Sequence, residues 1–231
     1  MELPLDSRAD RRPWRAIDAL YLLFFWIAGA IASGPFIGSD EITVFELFGI
    51  IAPFQALGIF VGIAVLGRTR EPWREALAFR AEPQDWRGLL EGVGLQLGLS
   101  ILIALILGLF GGTLPSQEIV DDAGLAVGGL EQIAVVIALV VLAPISEELV
   151  FRGVLLRGLA SRYGMRAAVI GSSVAFALLH LLDPNLLLAM PVFLVLGMAL
   201  GYSVARTGRL GRAIAIHAGF NLVTVIAVLF L

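Results

Sequence analysis

Two glutamates and an arginine, Glu147, Glu148 and Arg152, sit in the run Ser146-Glu147-Glu148-Leu149-Val150-Phe151-Arg152-Gly153, inside one of the most hydrophobic stretches of the chain. An ionisable side chain in a membrane helix costs about 2.5–3.5 kcal/mol on insertion scales, so a cluster of three implies both partners and a task. On a helix, Glu148 and Arg152 are four residues apart and share a face, where they can pair and largely neutralise each other. Glu147 lies about 100° around the axis, beside Val150 and Phe151, with no partner on its own helix. A carboxylate so placed is suited to take up and return a proton near neutral pH, which is the work of a general base.

The only two histidines, His180 and His217, also fall within apolar segments, and Asn221 follows His217 by four, so these two project from one helical face. Convergence in an interior is the least costly way to bury these six polar residues. Each has a structural alternative. A lone intramembrane His or Asn commonly makes an interhelical hydrogen bond, and a neutralised Glu148–Arg152 pair is how helices tolerate charge. Glu147 fits a purely structural role least well. Asp18, Glu46, Gln55, Glu91, Gln96 and Ser100 lie near segment ends or stand singly and read as structural.

The elements that must position these residues are membrane helices. With 59% hydrophobic and 15% charged residues and a mean hydropathy of +0.93 over 231 residues, the chain lies far from the soluble average of about a quarter charged. The fold class expected is all-α, a polytopic transmembrane helix bundle. Cysteine is absent, which excludes disulfides, thiolate metal sites and a cysteine nucleophile. A hydrocarbon core of about 30 Å takes roughly 20 helical residues, and apolar runs of that order fall near 16–33, 43–66, 88–110, 129–160, 166–182, 186–205 and 212–231. The fourth is over-long and carries Pro144, so it reads as one kinked helix or two shorter ones, giving seven to eight spans.

Arginine placement orients the bundle. Arg8, Arg11, Arg12 and Arg15 precede the first span; Arg68, Arg70, Arg74, Arg80 and Arg87 fill the second connection; Arg157, Arg162 and Arg166 flank the fourth; Arg206, Arg209 and Arg212 fill the sixth. The odd connections hold Asp40, Glu41, Glu118, Asp121, Asp122 and Asp183 and no arginine. The N-terminus is therefore expected in the cytoplasm and, for seven spans, the C-terminus outside. Ala30-Ile31-Ala32 before Ser33 resembles a signal-peptidase site. Glu71 to Trp86, with Trp73, Phe79 and Trp86 among charges, fits a short amphipathic interfacial helix or, more simply, an anchoring loop. Gly58/Gly62, Gly94/Gly98 and Gly197/Gly201 give small-xxx-small spacings suited to close helix packing.

Read together, Glu-Glu-x-x-x-Arg at Glu147, Glu148 and Arg152, Phe-x-x-x-His at Phe176 and His180, and His-x-x-x-Asn at His217 and Asn221 resemble the CPBP family of intramembrane proteases. That family includes the type II CAAX prenyl endopeptidases and bacterial bacteriocin-processing or immunity proteins. The resemblance covers about residues 130 to 231 and divides the chain into N-terminal spans, 1–128, and a catalytic core, 129–231. It implies a peptide-bond hydrolase working within the membrane and open to the cytoplasm. By that implication Glu147 is the general base, His180 helps hold or polarise the water, His217 and Asn221 stabilise the oxyanion or bind a metal, and Glu148 and Arg152 brace the first motif. If a metal is used, zinc would take Glu147, His180 and His217 with water in the fourth position; the two-histidine motif His-Glu-x-x-His is absent, and a metal-free, glutamate-dependent mechanism is preferred.

The implied partners are a peptide or protein substrate, prenylated or secreted, arriving from the cytoplasmic face or the lipid, and membrane lipids, with no nucleic acid. The implied location is the plasma membrane of a bacterium. A proton- or ion-coupled transporter and a non-catalytic immunity or scaffold protein are the competing classes, since intramembrane Glu and His also build proton relays. One tension is built in: upright helices would leave His217 near the cytoplasmic side and His180 nearer the outer end of its short span. Tilted or broken helices, with Pro144 and Pro184 available, are needed to bring them together.

Overall fold

The computed structural model describes residues 13–38, 41–109, 128–181 and 189–230. Arg8, Arg11, Arg12, Asp40, Glu118, Asp121, Asp122, Asp183 and Pro184 lie outside the described residues. Within them the chain is all helical, with no strand. The principal helices are α1 (Ala16–Ala32), α2 (Glu46–Leu66), α3 (Pro83–Leu109), α4 (Leu130–Tyr163), α5 (Met165–His180), α6 (Met190–Thr207) and α7 (Gly211–Phe230). By length and composition α1 with its short extension to Phe36, α2, α3, α4 and α6 are long and apolar enough to cross a membrane, whereas α5 and the apolar part of α7 are shorter.

α4 is neither split nor interrupted at Pro144. It runs unbroken for 34 residues, and the proline is absorbed by a wide π turn, Ile137–Leu142, just before it. α2 has the same device, a π turn at Glu46–Ile51 ahead of Pro53. A proline in a helix interior clashes with the carbonyl four residues back and cannot donate to it. Widening the preceding turn by one residue relieves that conflict without a break in the rod.

α1 packs on α2 and α3 on α7 at glycine contacts. A Cβ at Gly58 would strike the Phe25 carbonyl, one at Gly92 would strike the Ile216 carbonyl, and one at Gly219 the Leu89 carbonyl. Gly62 and the Gly197/Gly201 pair also meet neighbours, Phe25 and Leu22 for the first, Ser173 and Val169 for the others. Gly94 and Gly98, by contrast, face open space among the described residues. The close-packed face of α3 is one turn earlier, at Gly88 and Gly92, because that is where α7 crosses it.

The Glu71–Trp86 segment is not an amphipathic helix. It holds one helical turn at Trp73–Ala76 and a 3-10 turn at Pro83–Trp86, with Leu77 fully buried between them. The turn starts after Pro72 and ends at Leu77, where Ala78 adopts a left-handed φ of 49°, and the stretch turns back to meet the 210–211 connection. The Leu210 and Gly211 amides donate to the Ala78 and Arg80 carbonyls, and Trp14 Nε1 donates to Glu71 O at 3.1 Å.

Polar ties close the same end. Buried Asp18 takes two hydrogen bonds from Arg70, Nε to Oδ2 at 2.9 Å and Nη2 to Oδ1 at 2.7 Å, and these bonds raise the Arg70 pKa above its ordinary value. Arg209 makes the same two-point contact with Asp85, at 3.1 and 2.9 Å, and Arg157 donates to Gly208 O at 3.0 Å. Ala30-Ile31-Ala32 forms the last turn of α1, and Ser33 caps it, buried and bonded to Ala30 O at 2.6 Å.

The α3–α7 contact gives a direct test of the packing. Gly92→Ala forces a methyl into the α7 backbone, and overpacking of this kind costs about 1–3 kcal/mol. Gly98→Ala, in open space, shifts stability by less than about 0.5 kcal/mol. Thermal unfolding of the two variants in detergent separates them.

Candidate active site

The Glu147–Glu148 pair lies in a short α segment, Ala143–Glu148, between two π segments, Ile137–Leu142 and Leu149–Leu155. π turns inside α-helices gather at functional sites because they re-aim side chains and free backbone groups. Here the freed group can be named. The Ala143 amide bonds the Ala138 carbonyl in π register, and the next residue, Pro144, has no N–H. The Leu139 carbonyl is thus left without a main-chain donor, and Asn221 of α7 supplies one, Nδ2 to Leu139 O at 2.8 Å. Asn221 therefore clips α7 to the glutamate-bearing helix.

The clip fixes the height of His217, one turn earlier on α7. Its Nδ1 lies 3.1 Å from Glu148 Oε1, and the same oxygen accepts from Arg152 Nη1 at 2.9 Å. A carboxylate oxygen already paired with a guanidinium accepts and does not donate, so Nδ1 carries the proton. Nε2 of the neutral ring then faces outward as an acceptor, 3.8 Å from Glu147 Oε2. Arg152 and Glu148 are both fully buried. The arginine's second amino group, Nη2, donates to Gly197 O of α6 at 3.0 Å, and its guanidinium lies 4.6 Å over the Phe176 ring. One buried ion pair thereby joins α4, α5, α6 and α7.

Glu147 differs from its neighbour. Its side chain is 26% exposed, yet its Oε2 is buried and makes no hydrogen bond. It stands where two cavities meet. A cleft of about 180 Å³ lies between the first turns of α2 and the 138–147 stretch of α4. A pocket of about 30 Å³, lined by Leu23, Trp26, Ile59, Val150, Phe151 and Leu179, touches Glu147 from the other side. Leu23, Val150, Phe151 and Leu179 also wall an apolar groove of about 570 Å³ between α1 and α5.

His180 is held differently from His217. Its Nδ1 donates to Phe176 O at 2.9 Å, leaving Nε2 as acceptor, and its ring stacks on Phe193 at 4.0 Å. Both imidazoles pack on Phe176, with ring centroids 4.7 Å away for His180 and 5.7 Å for His217. The two histidines, which upright helices would set apart, thus contact one shared phenyl ring. No hydrogen bond or ion pair joins His180 to a carboxylate among the described residues.

The proposed zinc ligands, Glu147, His180 and His217, do not form a metal-ligand group: among the described residues no three His, Asp or Glu side chains are gathered to hold an ion. Each imidazole keeps Nε2 free, but the His180 ring packs on Phe176 and Phe193 and has no polar contact with Glu147 or His217 among the described residues. The donor set does not fit a metal as it stands.

Residues 129–223, which carry all of these groups, match the model of the type II CAAX prenyl endopeptidase Rce1-like family. No curated protein and no solved structure matches the chain. Within the matched segment, three contributors are not marked by the motif spacing. Gly197 supplies the carbonyl for Arg152, Phe193 stacks on His180, and Ser146, one residue before the motif, has a buried hydroxyl with no partner. Gln55 and Trp26 come to the site from outside that segment, lining the cleft beside Glu147. Gln55, which reads from the sequence as structural, is one of the polar residues lining that cleft.

The Asn221 clip predicts a coupling. Asn221→Ala leaves a carbonyl without a donor inside the bundle, which costs about 1–3 kcal/mol. Pro144→Ala returns a main-chain N–H to that carbonyl, so the same substitution costs much less in the Pro144→Ala background. A double-mutant cycle on thermal unfolding in detergent reads the difference, and strictly additive effects would refute the clip.

Proposed function

We propose that the chain is an intramembrane endopeptidase in which Glu147 is the general base that activates water. The observation that carries this reading is the pairing of a buried, unpartnered Glu147 oxygen with an imidazole nitrogen whose orientation is fixed from behind. Glu147 Oε2 and His217 Nε2 lie 3.8 Å apart, too far for a direct hydrogen bond, so one water can reach both, where the carboxylate can take its proton and return it to a leaving amine.

In this reading Glu148 and Arg152 do not touch substrate. They fix the tautomer of His217, as a buried carboxylate does for the histidine of a serine-protease triad. His217, once protonated, donates from Nε2 toward developing negative charge. Asn221 positions His217 through the Leu139 carbonyl, and its second amide hydrogen remains for an oxyanion. His180, with Nε2 free to accept, helps hold the water. The catalytic core is residues 129–231, and residues 1–128 supply α1 and α2 as walls of the substrate path. The apolar groove between α1 and α5 shares four residues with the pocket at Glu147, which supports entry of a lipid-associated peptide or protein segment from within the bilayer.

All seven helices enter or cross the membrane in this reading, with the arginine-rich end, where residues 14–18, 68–87, 157–164 and 206–212 meet, in the cytoplasm of a bacterial cell. The chain has no cysteine, so single cysteines report topology cleanly. Arg74→Cys is expected to resist an impermeant maleimide added to intact cells, and Gly34→Cys to react. The reverse pattern would invert the orientation.

The catalytic claim is tested on purified protein with a quenched peptide library. Glu147→Gln is expected to lower cleavage by about 10²–10⁴-fold with unchanged thermal stability. Cleavage equal to that of the wild type would overturn the assignment.

A further inference from the structure

Two carbonyls are orphaned by the same device, and one of them belongs to a residue that lines the cleft beside Glu147. In α4 the Leu139 carbonyl loses its donor to Pro144 and is taken by Asn221. In α2 the Ala52 amide bonds the Leu47 carbonyl in π register, and the following residue, Pro53, has no N–H. The Phe48 carbonyl therefore has no main-chain donor, and no side chain donates to it among the described residues. An unsatisfied carbonyl within a membrane protein costs several kcal/mol unless water or a partner reaches it, so its persistence calls for a ligand.

Phe48 lines the 180 Å³ cleft that ends at Glu147. Two further polar groups line the same cleft. Ser146 is 94% buried with a hydroxyl that makes no hydrogen bond, and Gln55 offers a side-chain amide. The remaining walls are apolar, among them Trp26, Leu139 and Leu142. The volume is about that of six waters at ~30 Å³ each, room for a short stretch of chain and not for a folded partner. A carbonyl acceptor, a hydroxyl and an amide along an apolar slot form the pattern that pairs with an extended backbone, whose N–H and C=O groups alternate.

We propose that the cleft between α2 and α4 binds an extended peptide segment of the substrate by its main chain, with one substrate N–H donated to the Phe48 carbonyl that Pro53 leaves free. This rests on the endopeptidase reading only for calling the peptide a substrate. Recognition through the backbone places the segment beside Glu147 without demanding a particular side chain, and Ser146 and Gln55 take the neighbouring polar groups.

Pro53→Ala tests it, because alanine returns a main-chain donor to Phe48 whether the turn stays π or relaxes to α. Removal of a helix-interior proline does not lower thermal stability, yet the cleft loses its open acceptor. The probe is the fluorescein-labelled member of the quenched peptide library that binds tightest to full-length Glu147→Gln protein in detergent, measured by anisotropy. Pro53→Ala in that background is expected to weaken binding about three- to tenfold, the worth of one hydrogen bond, with the unfolding temperature unchanged or raised. A series of the same peptide, N-methylated at one amide at a time, is expected to contain one position whose methylation weakens binding to the Pro53 protein but not further to Pro53→Ala. Equal binding by Pro53→Ala, no sensitive amide, or no bound peptide would each overturn the proposal. If peptide binds as expected but wild type does not cleave it, the cleft assignment stands and the endopeptidase reading falls.

Discussion

The buried Arg152–Glu148 pair is the constraint around which the second half of the chain is arranged. Two full charges with no solvent access are tolerable only if each finds further partners, and those partners come from three other helices. Gly197 of α6 offers a carbonyl, Phe176 of α5 a ring face, and His217 of α7 an N–H. Satisfying one ion pair therefore fixes three helices relative to α4. It also leaves Nε2 of His217 on the side of Glu147, 3.8 Å from its Oε2, so the bracing sets the geometry of that pair. Gly197 is glycine for a related reason: its Cβ would lie 3.0 Å from Ser173 Cβ, and without one α6 comes close enough to α5 for the carbonyl to reach Arg152.

The division between the two glutamates was readable from spacing alone. Four residues separate Glu148 from Arg152, and helical geometry makes their pairing almost unavoidable. The tie from Glu148 to His217 was not readable, because it spans 69 positions and depends on how α7 is set against α4. The same limit explains the glycines. Gly88, Gly92, Gly94 and Gly98 are equally good candidates on one helix, and only the crossing of α7 selects the first two. The His180–His217 tension arose from treating helices as upright rods; Phe176, the first residue of its own motif, turned out to be the shared surface on which both rings rest.

Other features were present in the letters but easily misread. Trp73, Phe79 and Trp86 among arginines give the composition of an interfacial helix, yet the helix ends after one turn, where Ala78 takes a left-handed φ, and Leu77 is drawn inside. Two of the three wide turns among the described residues lead into the dipeptide Ala-Pro, at Ala52-Pro53 and Ala143-Pro144, within apolar runs whose hydropathy shows no interruption. That combination signals a rod that continues through its proline, and it marks two places where a backbone carbonyl is set free. One is taken by Asn221, and the other belongs to Phe48, which lines the cleft.

The wide turn before Pro144 also acts as a buffer of azimuth. An α-helix advances about 100° per residue, and a π turn holds one residue more than the α turn it replaces. Loss of a single residue from Ile137–Leu142 would therefore close the turn to α and leave Glu147, Glu148 and Arg152 at nearly their present azimuth relative to Leu130–Val136. Loss of one residue from the α stretch Ala143–Glu148 has no such slack and would turn Arg152 away from the Gly197 carbonyl by about that angle. Residue count is thus held strictly within the motif and loosely in the wide turn before it.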